Sequence, residues 1–511
     1  MRILSCVLIF LTVISLSACT LDPKDESNSL ALIESVKEDI EAFLPLYVNQ
    51  SFYLPSFEGV MIEWAIDGKN IEHKFIYEEP FLKKPVTLEA TIKNNNYVKV
   101  FTFDLIILPQ DSPLNNNVIN IKSDTDYFEL SKETYAQASI RISSTVNDEH
   151  LEVFSSNFLE IKGRGNSTWT MPKKPLRLKF NEAVSLLNLP ATQDYVLLAE
   201  YADKSLMRNM IAYKFSSLLQ AIEYSPQGRF VELYMNDEYL GVYVLTNQIE
   251  PSEEIINIPT DLSSEDAGFF LELDQRFLEE GRVEGVDGFY ASGIPYVIDQ
   301  PSPGEDLQTY HIEYIKNYIL AMQTALMNRH GYDDYLDIDN FIDYFIAQEL
   351  FKNVDVGWGS VYSYKKPNER LKLGPLWDFD LAMGNADYID YGPENWYGMR
   401  NYKNYWFKLM MDVSLVRDEY QVRYQEIYEE IMPLLLKAVQ EIGESLSPYA
   451  ERNFDRWEIL DIYVWPNPVE MQAATTHQEQ VEYLYEFLQL RSNWMYHAMQ
   501  TEAYQNGHFD D

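Results

Sequence analysis

The stretch Gly374-Pro-Leu-Trp-Asp-Phe-Asp-Leu-Ala-Met-Gly-Asn385 carries two carboxylates, Asp378 and Asp380, one residue apart. In extended backbone, residues i and i+2 share a face, so both side chains would aim at one point. Paired carboxylates supply the oxygen donors that hard divalent cations such as Mg²⁺ take. The same stretch also reads as a solvated acidic turn, and taken alone it does not separate the two. A second chemistry-bearing region is basic. Lys162-Gly-Arg-Gly-Asn-Ser-Thr-Trp169 is a glycine-containing turn, and Lys173-Lys174-Pro-Leu-Arg177-Leu-Lys179 follows on the next strand. Glycines let backbone N–H groups approach an anion, while Arg and Lys bring charge to phosphate oxygens. Alternation puts Arg177 and Lys179 on one strand face. A third glycine and a following helix are missing, so the region is neither a dinucleotide fingerprint nor a Walker loop. A tight hairpin with solvated lysines fits the spacing equally well.

These residues need a scaffold, and the composition provides one. The chain has 511 residues, 46% hydrophobic and 14% aromatic, enough for several packed cores. Its 40 Lys+Arg against 80 Asp+Glu give a formal charge of −40. That field repels nucleic acid and anionic membrane surfaces, so neither is an expected partner. The seven histidines show no zinc spacing, and no Gly-x-Ser-x-Gly elbow marks a hydrolase.

At the start, Arg2 and the apolar run Ile3–Leu16 read as a secretion signal over residues 1–18, too short for a membrane span. Leu16-Ser17-Ala18-Cys19 looks like a bacterial lipobox, which implies a lipid on Cys19, an extracytoplasmic lipoprotein, and no other membrane anchor. Cys6 would leave with the signal, so no disulfide is expected. Residues 19–29 read as a polar tether. Leu30–Leu44 has helical apolar spacing, and short alternating runs follow between Val48 and Leu108. Residues 30–109 therefore read as a small all-β sandwich, similar to degenerate immunoglobulin-like modules of bacterial surface proteins. Pro109–Asn117 reads as a linker.

From 118 to about 505 the pattern is a single large α+β domain. Strands come first, then a helix at Lys204–Tyr224 with Asp203 as its cap, a hairpin turning at Asn236-Asp237, and a strand from Gly268. The second half reads as mostly helical: Thr309–Met327, Ile338–Asn353, Tyr405–Met411, Leu415–Glu441 and Met471–Thr501. Strands followed by helices predict two lobes with a cleft between them.

Several ordered motifs now coincide. Lys162-Gly-Arg-Gly-Asn-Ser-Thr-Trp, Lys-Lys-Pro-Leu-Arg-Leu-Lys, Leu198-Ala-Glu-Tyr-Ala-Asp-Lys-Ser-Leu-Met-Arg-Asn209, Tyr239-Leu-Gly-Val-Tyr-Val-Leu-Thr, Asn353-Val-Asp355 and Gly374-Pro-Leu-Trp-Asp-Phe-Asp follow one another. Over about 380 residues this resembles the CotH family, the spore-coat protein H group of atypical protein kinases. The resemblance implies a two-lobed kinase-like fold and transfer of the ATP γ-phosphate, with Mg²⁺ or Mn²⁺, to Ser or Thr of surface or coat proteins. By the same resemblance Asp355 is the catalytic acid, Asp378 the metal ligand, and Asp380 a second ligand or a structural acceptor. Lys179 is the first choice for the strand lysine and Lys174 the second. Arg164, Gly165, Asn166, Ser167 and Arg177 fall on the phosphate side. One departure stands out. Kinases place an Asn shortly after the catalytic Asp to hold a second metal, whereas Asp355-Val-Gly-Trp-Gly-Ser360 offers only Ser360, and Asn385 would serve only if the chain doubled back. A non-catalytic surface-binding module on a kinase-like body, and transfer of a nucleotidyl group from the same site, are the competing readings.

Overall fold

The computed structural model of the chain describes residues 23–304, 306–400 and 405–509. The expected signal peptide and the lipidation residue Cys19 lie outside the described residues. Two compact units emerge: one runs through Glu78 and resumes at Lys84–Ile107, and the other comprises Glu79–Lys83 with everything from Leu108 onward.

The first unit opens with α1 (Pro23–Phe43), followed by β1 (Tyr47–Val48), β2 (Phe52–Tyr53), β3 (Met61–Ile66), β4 (Lys69–Ile71), β5 (Lys74–Phe75), β6 (Lys84–Asn94) and β7 (Tyr97–Ile107). Helix starts well inside the expected tether. Asp25 and Glu26 occupy its first turn, where negative charge offsets the helix dipole. The main sheet has order β1-β7-β6-β3-β4, with β1 parallel to β7, and β2-β5 forms a separate ribbon. Along β6 the burial alternates, and Val86, Leu88, Ala90 and Ile92 point into one core. Ile33, Val36 and Ile40 of α1 fill the same core. The sheet is thus backed by a helix and a short ribbon, where the sequence led us to expect a second large sheet and an all-β module. The helical spacing of α1 supplied the apolar face the sheet needed.

In the second unit, seven strands close into a barrel: β8 (Asn117–Ser123), β9 (Ala136–Val146), β10 (Glu149–Gly163), β11 (Leu176–Val184), β12 (Thr192–Leu198), β13 (Gly228–Met235) and β14 (Glu238–Asn247), in the order β10-β11-β12-β14-β13-β8-β9. Only the β8–β13 pairing is parallel. Ile119, Ile142, Ile161, Leu178, Leu197 and Leu245 fill its interior. Between β12 and β13 runs α2 (Arg208–Leu218), shorter than Lys204–Tyr224 because the preceding residues form the cap. Asn236 and Asp237 turn the β13–β14 hairpin with both residues in left-handed conformation, as a tight two-residue turn requires.

The second half is less helical than its sequence suggests. It holds a five-stranded sheet, β16-β17-β15-β18-β19, built from β15 (Phe269–Leu273), β16 (Gly288–Ala291), β17 (Ile294–Gln300), β18 (Val361–Lys365) and β19 (Lys372–Leu373). Of these, β15 is the strand expected from Gly268, while β17 and β18 are buried on both faces and lack the alternation that signals a strand. Around them lie α3 (Thr309–Met327), α4 (Ile338–Leu350), α5 (Tyr405–Met411), α6 (Ser414–Glu426), α7 (Met432–Arg456), α8 (His477–Ala498) and α9 (Glu502–Gln505). The expected single helix Leu415–Glu441 divides at a π turn, Ile427–Ile431, and then continues past Pro448. It does so because the apolar stripe Leu435, Val439, Ile442, Leu446, Ala450 and Phe454 continues. The last helix begins at His477, where Thr476 and Glu479 make a reciprocal capping box.

Candidate active site

Asp203 shows how the site is assembled. Its two oxygens accept from the backbone N–H of Ser205 (3.0 Å), Met207 (3.0 Å) and Arg208 (2.7 Å), and from the Ser205 hydroxyl (2.6 Å). That caps the start of α2. It also holds the Arg208 guanidinium in an ion pair from which both side chains exclude solvent. Arg208 in turn donates to the carbonyls of Ala382 (3.1 Å) and Met383 (3.4 Å). Asn385 donates to Ala202 (3.1 Å) and Asp380 (2.7 Å) carbonyls and accepts from Asn467 (2.9 Å). Its amide is used up in bracing the turn after Asp380, so it is not available as a metal ligand.

The backbone at the aspartate pair is not a strand. Asp378 has φ +67°, in the left-handed region, and only Lys372–Leu373 before it pairs as β19. The extended geometry that would put both carboxylates on one face is therefore absent. Asp378 stays half-buried, while Asp380 is buried. Burial, reinforced by the charges of Asp378, Glu200, Asp203 and Asp355, pushes the Asp380 carboxyl well above the usual carboxylate range. Ser360 donates its hydroxyl to Asp378 Oδ2 at 3.2 Å.

Asp355 reaches the same place from another element. After α4 ends, the Asn353 side chain accepts from the Asp355 N–H (3.1 Å), fixing the turn. The loop beyond is stitched to the segment after β15 by Gln275 N–H donating to the Trp358 carbonyl (2.8 Å). In that segment Asp274 binds Arg276 (2.9 Å) and Arg282 (3.4 Å). Burial and then the Asp378 charge push the Asp355 carboxyl up to about 7, with Arg276 pulling it down and Asp274 adding to the rise.

From the barrel comes the glycine turn. Gly165 sits at φ +82°, and a Cβ on Gly163 would fall 2.1 Å from the Trp169 ring, so both positions require glycine. The Arg164 guanidinium lies 5.9 Å from the ring centroid of Trp377, the residue before Asp378 in the chain, and Trp377 stacks on Tyr213 at 5.8 Å. Asn166 donates to Glu280 (3.2 Å) and accepts from Lys132 (2.8 Å), while Ser167 is exposed. Arg164 thus reaches the tryptophan that precedes Asp378. The other expected cations do not. Arg177 pairs with Asp194 (2.7 Å) and Glu250 (3.7 Å) on the outside of the barrel. Lys179 lies 5.9 Å from the Tyr135 ring. Lys174 donates to the Trp169 carbonyl (2.9 Å) and braces its own loop.

Two residues the sequence did not single out belong to the site. Lys173 is fully buried, bonded to the Val242 carbonyl and to Asn453 Oδ1 (2.9 Å), and desolvation pushes it down to about 7 despite the charge of Glu200. Strand alternation hid it, because β11 starts only at Leu176, and Pro175 breaks the parity with Arg177 and Lys179. Glu200 has φ +50° and is 5% exposed. Its Oε1 accepts from Asn209 (2.9 Å), whose own Oδ1 accepts from the Phe379 N–H (2.8 Å). Burial first, then Asp203, push Glu200 up to about 8.

Five carboxylates therefore share one buried neighbourhood between the barrel and the helical part of the second unit. Such a cluster binds either protons or a cation. Its oxygen donors suit Mg²⁺, and Glu200 Oε2, buried without a hydrogen-bond partner among the described residues, is the kind of orphaned donor a cation satisfies. Among the described residues no three acidic, His or Cys side chains already surround one point. Mg²⁺ commonly takes only one or two carboxylates and completes its shell with phosphate and water, so the donor set fits.

The family model for the CotH kinase protein matches residues 161–495, from the end of β10 to near the end of α8. The chain belongs to the CotH kinase family. No curated protein matches it. For a CotH kinase the family chemistry is ATP-dependent phosphorylation, and the matched span holds Arg164, Glu200, Asp355, Asp378 and Asp380.

Proposed function

We propose that this CotH kinase is a secreted, lipid-anchored protein kinase that transfers the γ-phosphoryl group of ATP to Ser or Thr hydroxyls of surface or coat proteins. The observation that carries this reading is that the Asp378 charge acts on the buried Asp355 carboxyl, with Arg164 over the ring of Trp377, the residue before Asp378. Asp355 accepts the hydroxyl proton as the acceptor oxygen bonds to phosphorus and ADP departs. Asp378, which accepts the Ser360 hydroxyl, would hold Mg²⁺, and Arg164 would bring positive charge to the phosphates. Bound Mg²⁺ supplies the charge that neutralises the phosphate oxygens. A lipid on Cys19 would tether the chain, with the helix-backed sheet of the first unit serving as a spacer at a cell surface.

Incubating the protein with labelled ATP, Mg²⁺ or Mn²⁺ and candidate acceptors tests the reading. Label transfer is expected from the unaltered chain and should fall at least about a hundredfold in Asp378→Ala. Equal transfer by that variant would remove Asp378 from the metal role. A second reading, a nucleotide-independent surface-binding module, is favoured by the engagement of Lys174, Arg177 and Lys179 elsewhere. It predicts no ATP affinity at millimolar nucleotide and retention on cell-wall polysaccharide.

A further inference from the structure

Glu200 is held in an unusual state. A glutamate at positive φ is strained and persists only where its surroundings fix it. The surroundings here are specific. Asn209, at the start of α2, bridges Glu200 Oε1 to the peptide N–H between Asp378 and Asp380. With both ends of the Asn209 amide used, its orientation is fixed, and so is that of the carboxylate it holds. Glu200 Oε2 remains buried and unpartnered among the described residues. A buried carboxyl oxygen in this position must either keep a proton or meet a cation. Lys173, whose charge acts on Glu200, is bound instead to the Val242 carbonyl and Asn453. Meanwhile the asparagine that ordinarily holds a second metal after the catalytic aspartate is replaced by a loop offering only Ser360, and Asn385 is consumed in structural bonds.

We propose that Glu200 Oε2 is a divalent-cation ligand alongside Asp378, contributed from the end of β12 and aimed by Asn209, and that it takes over the metal-holding role of the missing asparagine. The proposal rests on the kinase reading for its nucleotide, though not for the metal itself. A carboxylate in place of a neutral amide adds negative charge to the shell, so the site holds a bare cation more tightly than an amide ligand would. Glu200 and the Asp378–Asp380 turn then form one unit joined through Asn209.

The test is Mn²⁺ binding to the full chain, followed by the EPR signal of free Mn²⁺, with and without a non-hydrolysable ATP analogue. Glu200→Gln keeps the shape and the Asn209 hydrogen bond, and circular dichroism and thermal unfolding without metal check that it folds. Expected is Mn²⁺ binding weakened at least about tenfold in Glu200→Gln, with metal-free unfolding unchanged or shifted to higher temperature. Should Glu200→Gln fail to fold, Glu200→Asp, which keeps the charge but shortens the reach, takes its place with the same expected weakening. Unchanged Mn²⁺ affinity in the folded variant overturns the proposal while leaving the kinase reading intact. If the unaltered chain binds Mn²⁺ through Glu200 but transfers no phosphate, the kinase reading fails and the metal ligand stands. No Mn²⁺ binding by the unaltered chain overturns both.

Discussion

Asp355 shares its surroundings with a second aspartate and an arginine, and the three together decide when it can act. Burial and the Asp378 charge raise its carboxyl to about 7, while Arg276 opposes them. A base must be ionised to take the hydroxyl proton, so phosphate transfer is expected to climb as pH rises through about 7. Replacing Arg276 by Met removes a charge that stabilises the ionised form, which should move that climb to higher pH; an unmoved profile would mean that Asp355 is not the titrating base. Asp355→Asn should lower the rate by about 10²–10⁴-fold while leaving nucleotide binding in place, measurable by single-turnover transfer beside a binding titration.

At the scale of elements, α2 is the clamp. Asp203, whose carboxylate accepts the N–H groups of Met207 and Arg208, and Arg208, the first residue of α2, form an ion pair of 0% exposure on either side, and Arg208 carries the turn after Asp380 on two carbonyl bonds. Removing one partner of a buried pair strands the other charge, at about 3–5 kcal/mol. Arg208→Ala is therefore expected to lower unfolding stability by that amount in urea, and to weaken Mn²⁺ binding although Arg208 is not itself a ligand. Loss of stability with full metal affinity would show that the turn holds its shape unaided. α4 acts similarly from the other side, since Glu349 pairs with Arg491 in full burial and its end leads into the Asn353 turn that presents Asp355.

For the molecule as a whole, the raised acids set the pH response. Glu200 (about 8), Glu272 (about 8), Asp355 (about 7) and Glu250 (about 6) all bind protons more tightly folded than unfolded. Their contribution is complete below the ordinary carboxylate range and is lost as pH rises through about 6 to 8. The excess of acidic residues adds repulsion in the same direction. Lys173, lowered to about 7, works oppositely, but only above that pH. The urea midpoint of the metal-free protein should therefore fall between pH 5 and 8, and millimolar Mg²⁺ should recover part of the loss at pH 8. A midpoint that rises over this range would contradict the protonated cluster.

Much of the large domain was legible because its signals are local. Thr309–Met327 and Tyr405–Met411 are helices at those bounds, since apolar spacing and chain length suffice to specify them. The β13–β14 hairpin followed from a turn whose residues tolerate left-handed backbone. The ordered motifs led to the CotH family from residue identities alone. Other features depend on where distant segments meet. Buried strands such as Val361–Lys365 show no alternation, so their sheet was hidden. Lys173 turned inward because the strand begins after Pro175, whereas Lys179 follows the outer face of the barrel. Asp378 and Asp380 were visible as a pair from the start, but their backbone is bent, not extended. What the sequence by itself determined was which acids and bases the chain carries and in what order. Only the tertiary structure decided which of them meet, because burial, charge repulsion and the Asn209 bridge act between residues that lie far apart along the chain.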